Sequence, residues 1–392
     1  MSDHLHQETV LNRRHWLVLA ASTLSGCGGG AGSVTALLPG TGGTGIYAQG
    51  SISGFGSVII NGIRFDDTAA TVQLDGVTLR SADLRLGMVA SVQGERGADP
   101  ALGTAKSIEV WSIAQGLISQ LAPGGSEFTV AGMTVQTDAN TVFDGLAGAA
   151  ALSAGQRLMV WGLQAGSLQA GVIGSRWLAT RLALTTDPTV VSTGLLGWSG
   201  EKPVLNGFSL MGEAVRALAA GQQVWVQGTL DGSAGLLVAS VKVQGAAQTL
   251  QAMQSQGEAE IEAMVTAVSS ATRFTMEGLE VDASAAMISP TGAQIRVGSR
   301  LEVEGSWHSG LLIATKVDVK DEQTSQTVEI KAMIEQFSSV ASFVVRGQVC
   351  DASGLTSVGH GTLADLRVGV VIKLKGTQAG NVLIVTELEI DD

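Results

Sequence analysis

The stretch Ile59-Ile60-Asn61-Gly62-Ile63-Arg64-Phe65, followed by Gly87-Met88-Val89-Ala90-Ser91-Val92-Gln93-Gly94, carries the reading of the whole chain. In the first segment two apolar runs flank Asn-Gly, the pair that most readily takes the positive φ angles of a two-residue hairpin turn. In the second, Ala90 and Val92 alternate with Ser91 and Gln93 between two glycines. A period of two marks a strand with one buried face.

The glycine spacing recurs as Gly155/Gly162, Gly221/Gly228, Gly298/Gly305 and Gly369/Gly376. The third and fifth positions are apolar each time: Leu158 and Val160, Val224 and Val226, Leu301 and Val303, Ile372 and Leu374. Upstream of each pair a hairpin is expected, turning at Gly132, Gly207, Gly278 and Gly347. Positions after the turns are read as inward: Ile63 and Phe65, Met133 and Val135, Phe208 and Leu210, Leu279 and Val281, Gln348 and Cys350. A last strand follows, as at Ile108-Glu109-Val110 and Val317-Asp318-Val319, and in repeat two at Leu182-Ala183-Leu184. Self-similarity of this kind identifies a repeat architecture. The fold class expected is all-β: five tandem, small, five-stranded barrels resembling the oligonucleotide/oligosaccharide-binding fold.

The repeats are bounded at 46–112, 113–188, 189–250, 256–322 and 326–392. The third is short, with fourteen positions from Gly207 to Gly221 against 20 to 25 elsewhere, so the loop there is dispensable to the barrel. Domains this small bury only about 60% of their surface and need support from neighbours.

Composition agrees with many strands and tight turns: 52 glycines, 6 prolines, 45% hydrophobic residues and 15% charged. The net charge of -12 argues against nucleic acid, whose phosphates need Lys and Arg to neutralise them. No apolar run approaches the roughly 18 residues of a membrane-spanning helix.

Residues 1–26 read as an export signal. Arg13-Arg14 precede an apolar stretch from Trp16 to Leu24, and Leu24-Ser25-Gly26-Cys27 resembles a lipoprotein cleavage site. Cys27 is then the lipidation site, and the Gly/Ser/Thr-rich residues 27–45 form a flexible tether. Several acyl chains, at about 0.8 kcal/mol per buried CH₂, would hold the protein to a bacterial envelope membrane. Gly28 after the cysteine favours the outer membrane. Export follows the general secretory route or, given Asn12-Arg13-Arg14-His15-Trp16-Leu17, the twin-arginine route.

Repeat one resembles the domain of unknown function 5666 family. The residues that carry the resemblance are Gly50-Ser51-Ile52-Ser53-Gly54-Phe55-Gly56-Ser57-Val58-Ile59-Ile60-Asn61-Gly62-Ile63-Arg64-Phe65-Asp66 and Asp83-Leu84-Arg85-Leu86-Gly87-Met88. The other four copies lack the Gly-Phe-Gly-Ser opening. The resemblance implies tandem repeats in an exported protein, often a lipoprotein, and no activity.

Catalytic chemistry finds few residues. His308 and His360 are isolated and read as solvated loop histidines, short of a zinc or Ser-His-Asp arrangement. Asp66, Asp282 and Asp351 recur four positions after the turn glycine and read as strand-end carboxylates bonding their own backbone, with calcium the competing reading. Cys350 falls in an inward register and reads as a core thiol. No metal or cofactor is expected. Met159, Trp161 and Trp225 occupy outward positions where other repeats carry Ser91, Gln93, Glu302, Glu304, Lys373 and Lys375. They are the candidate binding surface, or else the packing between adjacent repeats. The expected function is a non-catalytic scaffold, a rod of β domains that binds an envelope protein. A polysaccharide-binding array is the alternative.

Overall fold

The computed structural model describes residues 45–391, apart from 166–175, 233, 245, 247–249, 251–256, 309 and 321–325. The signal segment and Cys27 lie outside the described residues, as does the tether up to position 44.

All five hairpins turn where the sequence places them. The residues at the turns, Asn61-Gly62, Ala131-Gly132, Asn206-Gly207, Glu277-Gly278 and Arg346-Gly347, all have positive φ at both positions. That is the type I′ geometry whose twist matches the flanking strands. Three of the turns hold it with alanine, glutamate or arginine, which gain nothing from it locally. Tertiary contacts therefore impose the turn there.

Each repeat has the same strand order. In repeat one the first strand (Gly45–Phe55) pairs with the second (Val58–Ile60), which pairs with the third (Ile63–Asp66). The third runs parallel to the fifth (Leu102–Val110), and the fifth is antiparallel to the fourth (Val89–Arg96), which returns to the first. This ring, 1-2-3-5-4-1, is the connectivity of the fold expected from sequence. Repeats two, four and five close in the same order. In repeat three the first strand breaks at Leu196 into Val190–Leu195 and Gly197–Ser199, and the ring runs through both pieces.

The alternation in the fourth strands fills the barrels. Ala90, Val92, Leu158, Val160, Val224, Val226, Leu301, Val303, Ile372 and Leu374 are all essentially inaccessible. Each valine, leucine or isoleucine so buried contributes about 1.5–3 kcal/mol, and Ala90 less. Among the inward positions after the turns, Phe208 is only half-buried, in keeping with the abbreviated third repeat.

The cores are not one per repeat. One apolar cluster joins repeats one and five and takes in Val142 and Trp161 of repeat two. A second joins repeats two and three, and a third holds repeat four together with Tyr47 of repeat one. Strand pairing follows the same grouping. The first strand of repeat one runs parallel to that of repeat four (Glu258–Ser270) at Ile46–Gln49. At Gly54-Phe55 it runs parallel to that of repeat five (Thr327–Ser339). Repeats two and three meet through the antiparallel pairs Gln115–Val191 and Ala114–Ser192. The sequence leaves a straight rod and a cluster equally open; in the structure the repeats pack side by side, and repeat one pairs its first strand with those of four and five instead of its sequence neighbour. Small barrels that bury too little surface alone gain buried area by packing against one another.

Candidate functional site

Trp161 lies on the fourth strand of repeat two (Arg157–Gln164), between inward Val160 and Gly162. Its indole points out of its own barrel, as the alternation requires, yet it is only 2% exposed because it joins the repeat one core. Met159, on the same face, is half-buried against that cluster. Beside them the Arg181 guanidinium sits 5.9 Å from the Trp161 ring centre, donates to the Leu86 carbonyl at 3.1 Å and pairs with Asp144. Burial pulls the Arg181 pKa down, which Asp144 opposes.

Trp225 is likewise 2% exposed. Its Nε1 donates to the Ser112 carbonyl at 2.8 Å, and Trp111 meets it edge to face at 5.0 Å. The Lys242 ammonium stands 4.0 Å from the Trp111 ring centre and pairs with Glu109. Ser112 and Trp111 belong to the link between repeats one and two. That link is fixed by Asp75, whose carboxylate accepts from the Ser112 amide at 2.7 Å and hydroxyl at 2.8 Å. Burial raises Asp75 to about 6 despite those bonds. The candidate binding surface is therefore corrected. Trp161, Trp225 and Met159 are outward but covered, because the outer face of one barrel is the packing face of the next.

Sequence reasoning missed a charged seam between repeats one and four. Glu262 accepts from the Ser51 amide at 2.9 Å and from Arg300 Nε at 2.9 Å. Burial would raise its pKa, but Arg300 and Ser51 hold the carboxylate below its ordinary value. Nearby, Arg96 of repeat one pairs with Glu260 and with Glu304, the latter at 2.7 Å. Burial, helped by neighbouring Glu302, pushes Glu260 up to about 8. Glu258, Glu260 and Glu262 at a period of two were the available signal, but charges on an outer face are usually solvated.

The Gly-Phe-Gly-Ser opening of repeat one also belongs to a seam. A side chain at Gly54 would collide with the Glu329 carbonyl of repeat five, and Gly56 lies against Lys331. Phe55 carries the Arg346 guanidinium 4.2 Å from its ring centre. Among the described residues, only the first strand of repeat one pairs with the first strands of two other repeats.

The remaining residues fall as follows. Cys350 is inaccessible, and burial pushes its thiol up to about 12. Asp66, Asp282 and Asp351 accept from the amides two residues on, Thr68, Ser284 and Ser353, at 3.0, 3.0 and 2.8 Å. His360 is in a loop beside Glu389 at 3.2 Å, whereas His308 ends the strand Arg300–His308 instead of lying in a loop.

No curated protein matches the chain. A family model, described as a domain of unknown function, DUF5666, matches residues 49–109, 115–174, 262–318 and 324–389. Repeat three, the short one, lies outside those ranges. The four matched regions make up more than half of the chain and fall on repeats one, two, four and five, the second stopping short of the strand Arg176–Leu184. The chain belongs to the DUF5666 family, as a tandem array of its domain.

Proposed function

We propose that this protein is a non-catalytic, lipid-anchored scaffold of the bacterial cell envelope that binds a protein partner on its outer surface. The observation that carries the reading is how the repeats are joined. Strand pairing, two covered tryptophans and the Arg96–Glu260 ion pair commit the barrels' outer faces to one another. A body built this way presents a fixed surface, which suits holding a partner in place. The Leu24-Ser25-Gly26-Cys27 sequence and the glycine-rich segment after it support lipid anchoring.

Photo-crosslinking in intact envelopes, with wild-type protein and Cys27→Ser, tests both parts. The reading expects wild type in the membrane fraction with a discrete protein adduct, and Cys27→Ser released into the soluble fraction. Membrane association unchanged by Cys27→Ser would refute the anchor. Glycan-array binding without any protein adduct would replace the scaffold with a polysaccharide-binding array, but Trp161 and Trp225, on which that reading rested, are covered.

A further inference from the structure

Repeats two and four meet through a contact whose two halves recur, uncovered, elsewhere in the chain. Met264, on the first strand of repeat four, packs against Leu163 and Leu178 on the outer face of repeat two. Met264 is 4% exposed and Leu178 is 6% exposed. Strand register identifies the equivalent of each residue in the other repeats. Met264 stands opposite Arg300, two positions after Gly298, and Met333 of repeat five stands opposite Val371, two positions after Gly369. Leu178 pairs with Leu163 on one side and Gln136 on the other. In repeat three the same place is held by Leu237, between Thr229 and Met211.

Both equivalents are open, Met333 at 52% exposure and Leu237 at 53%. Val371, paired with Met333, is exposed too, as is Leu230 on the strand facing Leu237. Apolar residues left open together mark a contact surface. The other repeats offer poorer counterparts. Ile313 and Ile384 hold the place of Leu178 in repeats four and five, but they pair with Asp282 and Asp351 where Leu237 has Met211. Leu117 holds the place of Met264 in repeat two, opposite Arg157, and in repeat one the place belongs to Ser51, which is bonded to Glu262.

We propose that the protein associates with a second copy of itself, Met333 of one copy seating on the Leu237 face of repeat three in the next, as Met264 seats on repeat two within the chain. The occupant is another copy because each half fits a surface that this chain already carries. Knob and socket lie on different repeats, so the contact is head-to-tail and every copy keeps one half free for a further copy. Within the chain the contact also has Glu277 accepting from the Gln164 amide. Between copies that bond has no counterpart: Leu230 stands in the place of Gln164, and Arg346, in the place of Glu277, donates to the Ser81 carbonyl of repeat one. A contact of a few apolar side chains belongs with the weak interfaces, below roughly 1,200 Å², so association depends on concentration. It is independent of the lipid anchor and of any other partner.

The test is sedimentation equilibrium of the full chain carrying Cys27→Ser, without detergent, between about 1 and 500 µM. Weight-average mass should rise with concentration and pass twice that of one chain. Met333→Glu and Leu237→Glu should each hold the protein monomeric, whereas Leu117→Glu leaves the rise intact. Mixed in equal amounts, the two monomeric variants should regain mass but stop at the dimer, since each supplies the half that the other lacks. If a glutamate variant does not fold, Met333→Ser or Leu237→Ser takes its place with the same expectation. A constant monomer mass over the whole range would overturn the proposal. So would a rise that survives Leu237→Glu, an equal loss in Leu117→Glu, or a mixture that stays monomeric.

Discussion

Gly155 and Gly162 stand seven positions apart and answer to different constraints. Gly155 has φ of 84° and open space around it, so only its backbone conformation requires glycine. Gly162 has ordinary φ, but a Cβ there would run into the Leu178 carbonyl where the pairing register shifts between Trp161 and Gly162. A β-bulge at that point brings the two backbones together and bends the strand. The same division holds at Gly221/Gly228, Gly298/Gly305 and Gly369/Gly376, whereas Gly87 combines a φ of 76° with a close approach to the Thr180 carbonyl of repeat two. Gly155→Ala should cost about 1–2 kcal/mol, the penalty of a left-handed residue. Gly162→Ala should cost about 3 kcal/mol, because the backbone itself must move. Urea denaturation of the two variants checks the order; equal costs would remove the bulge from the account. The spacing was legible in the sequence, since a constraint repeated five times leaves a pattern. The separate reasons were not, since both constraints select the same residue.

Hairpins, strands and the inward alternation could be read because they depend on residues near in sequence. The turn at Glu277-Gly278 shows where that reading stops. Its glutamate is buried against repeat two and accepts the Gln164 amide, and burial raises its carboxyl to about 6. Nothing in Met276-Glu277-Gly278-Leu279 announces that contact. The raised pKa means the folded protein holds a proton that the unfolded chain, at about 4.3, has released. Stability should therefore fall as pH rises from about 4 to 6 and stay lower above, by about 2 kcal/mol for this group. Glu277→Gln keeps an acceptor for the Gln164 amide and removes the charge. It should raise Tm at pH 8 and leave it unchanged at pH 4, measured by calorimetry. A gain of equal size at both pH values would assign the effect to packing.

Across the whole molecule, what could not be read is which repeat packs on which. Outward Trp161 and Trp225 were visible as outward, but their covering comes from segments far away in the chain or in the link before repeat two. Trp225→Ala and Trp161→Ala should each cost roughly 3–5 kcal/mol, as for fully buried indoles. Phenylalanine should separate them. Trp225→Phe strips the Ser112 carbonyl of its donor, whereas Trp161 Nε1 has no partner among the described residues to lose. Trp225→Phe should then be worse by about 1 kcal/mol or more in chemical denaturation; the reverse order would contradict the seam geometry. The central claim is that the repeats form one side-by-side body and not a string. Small-angle X-ray scattering on residues 45–392, released from the anchor, tests it most directly. A compact body of this length has a radius of gyration of about 20 Å, and five barrels end to end would give roughly 40 Å. A value near the first is what the shared first strands require, and a value near the second would contradict them.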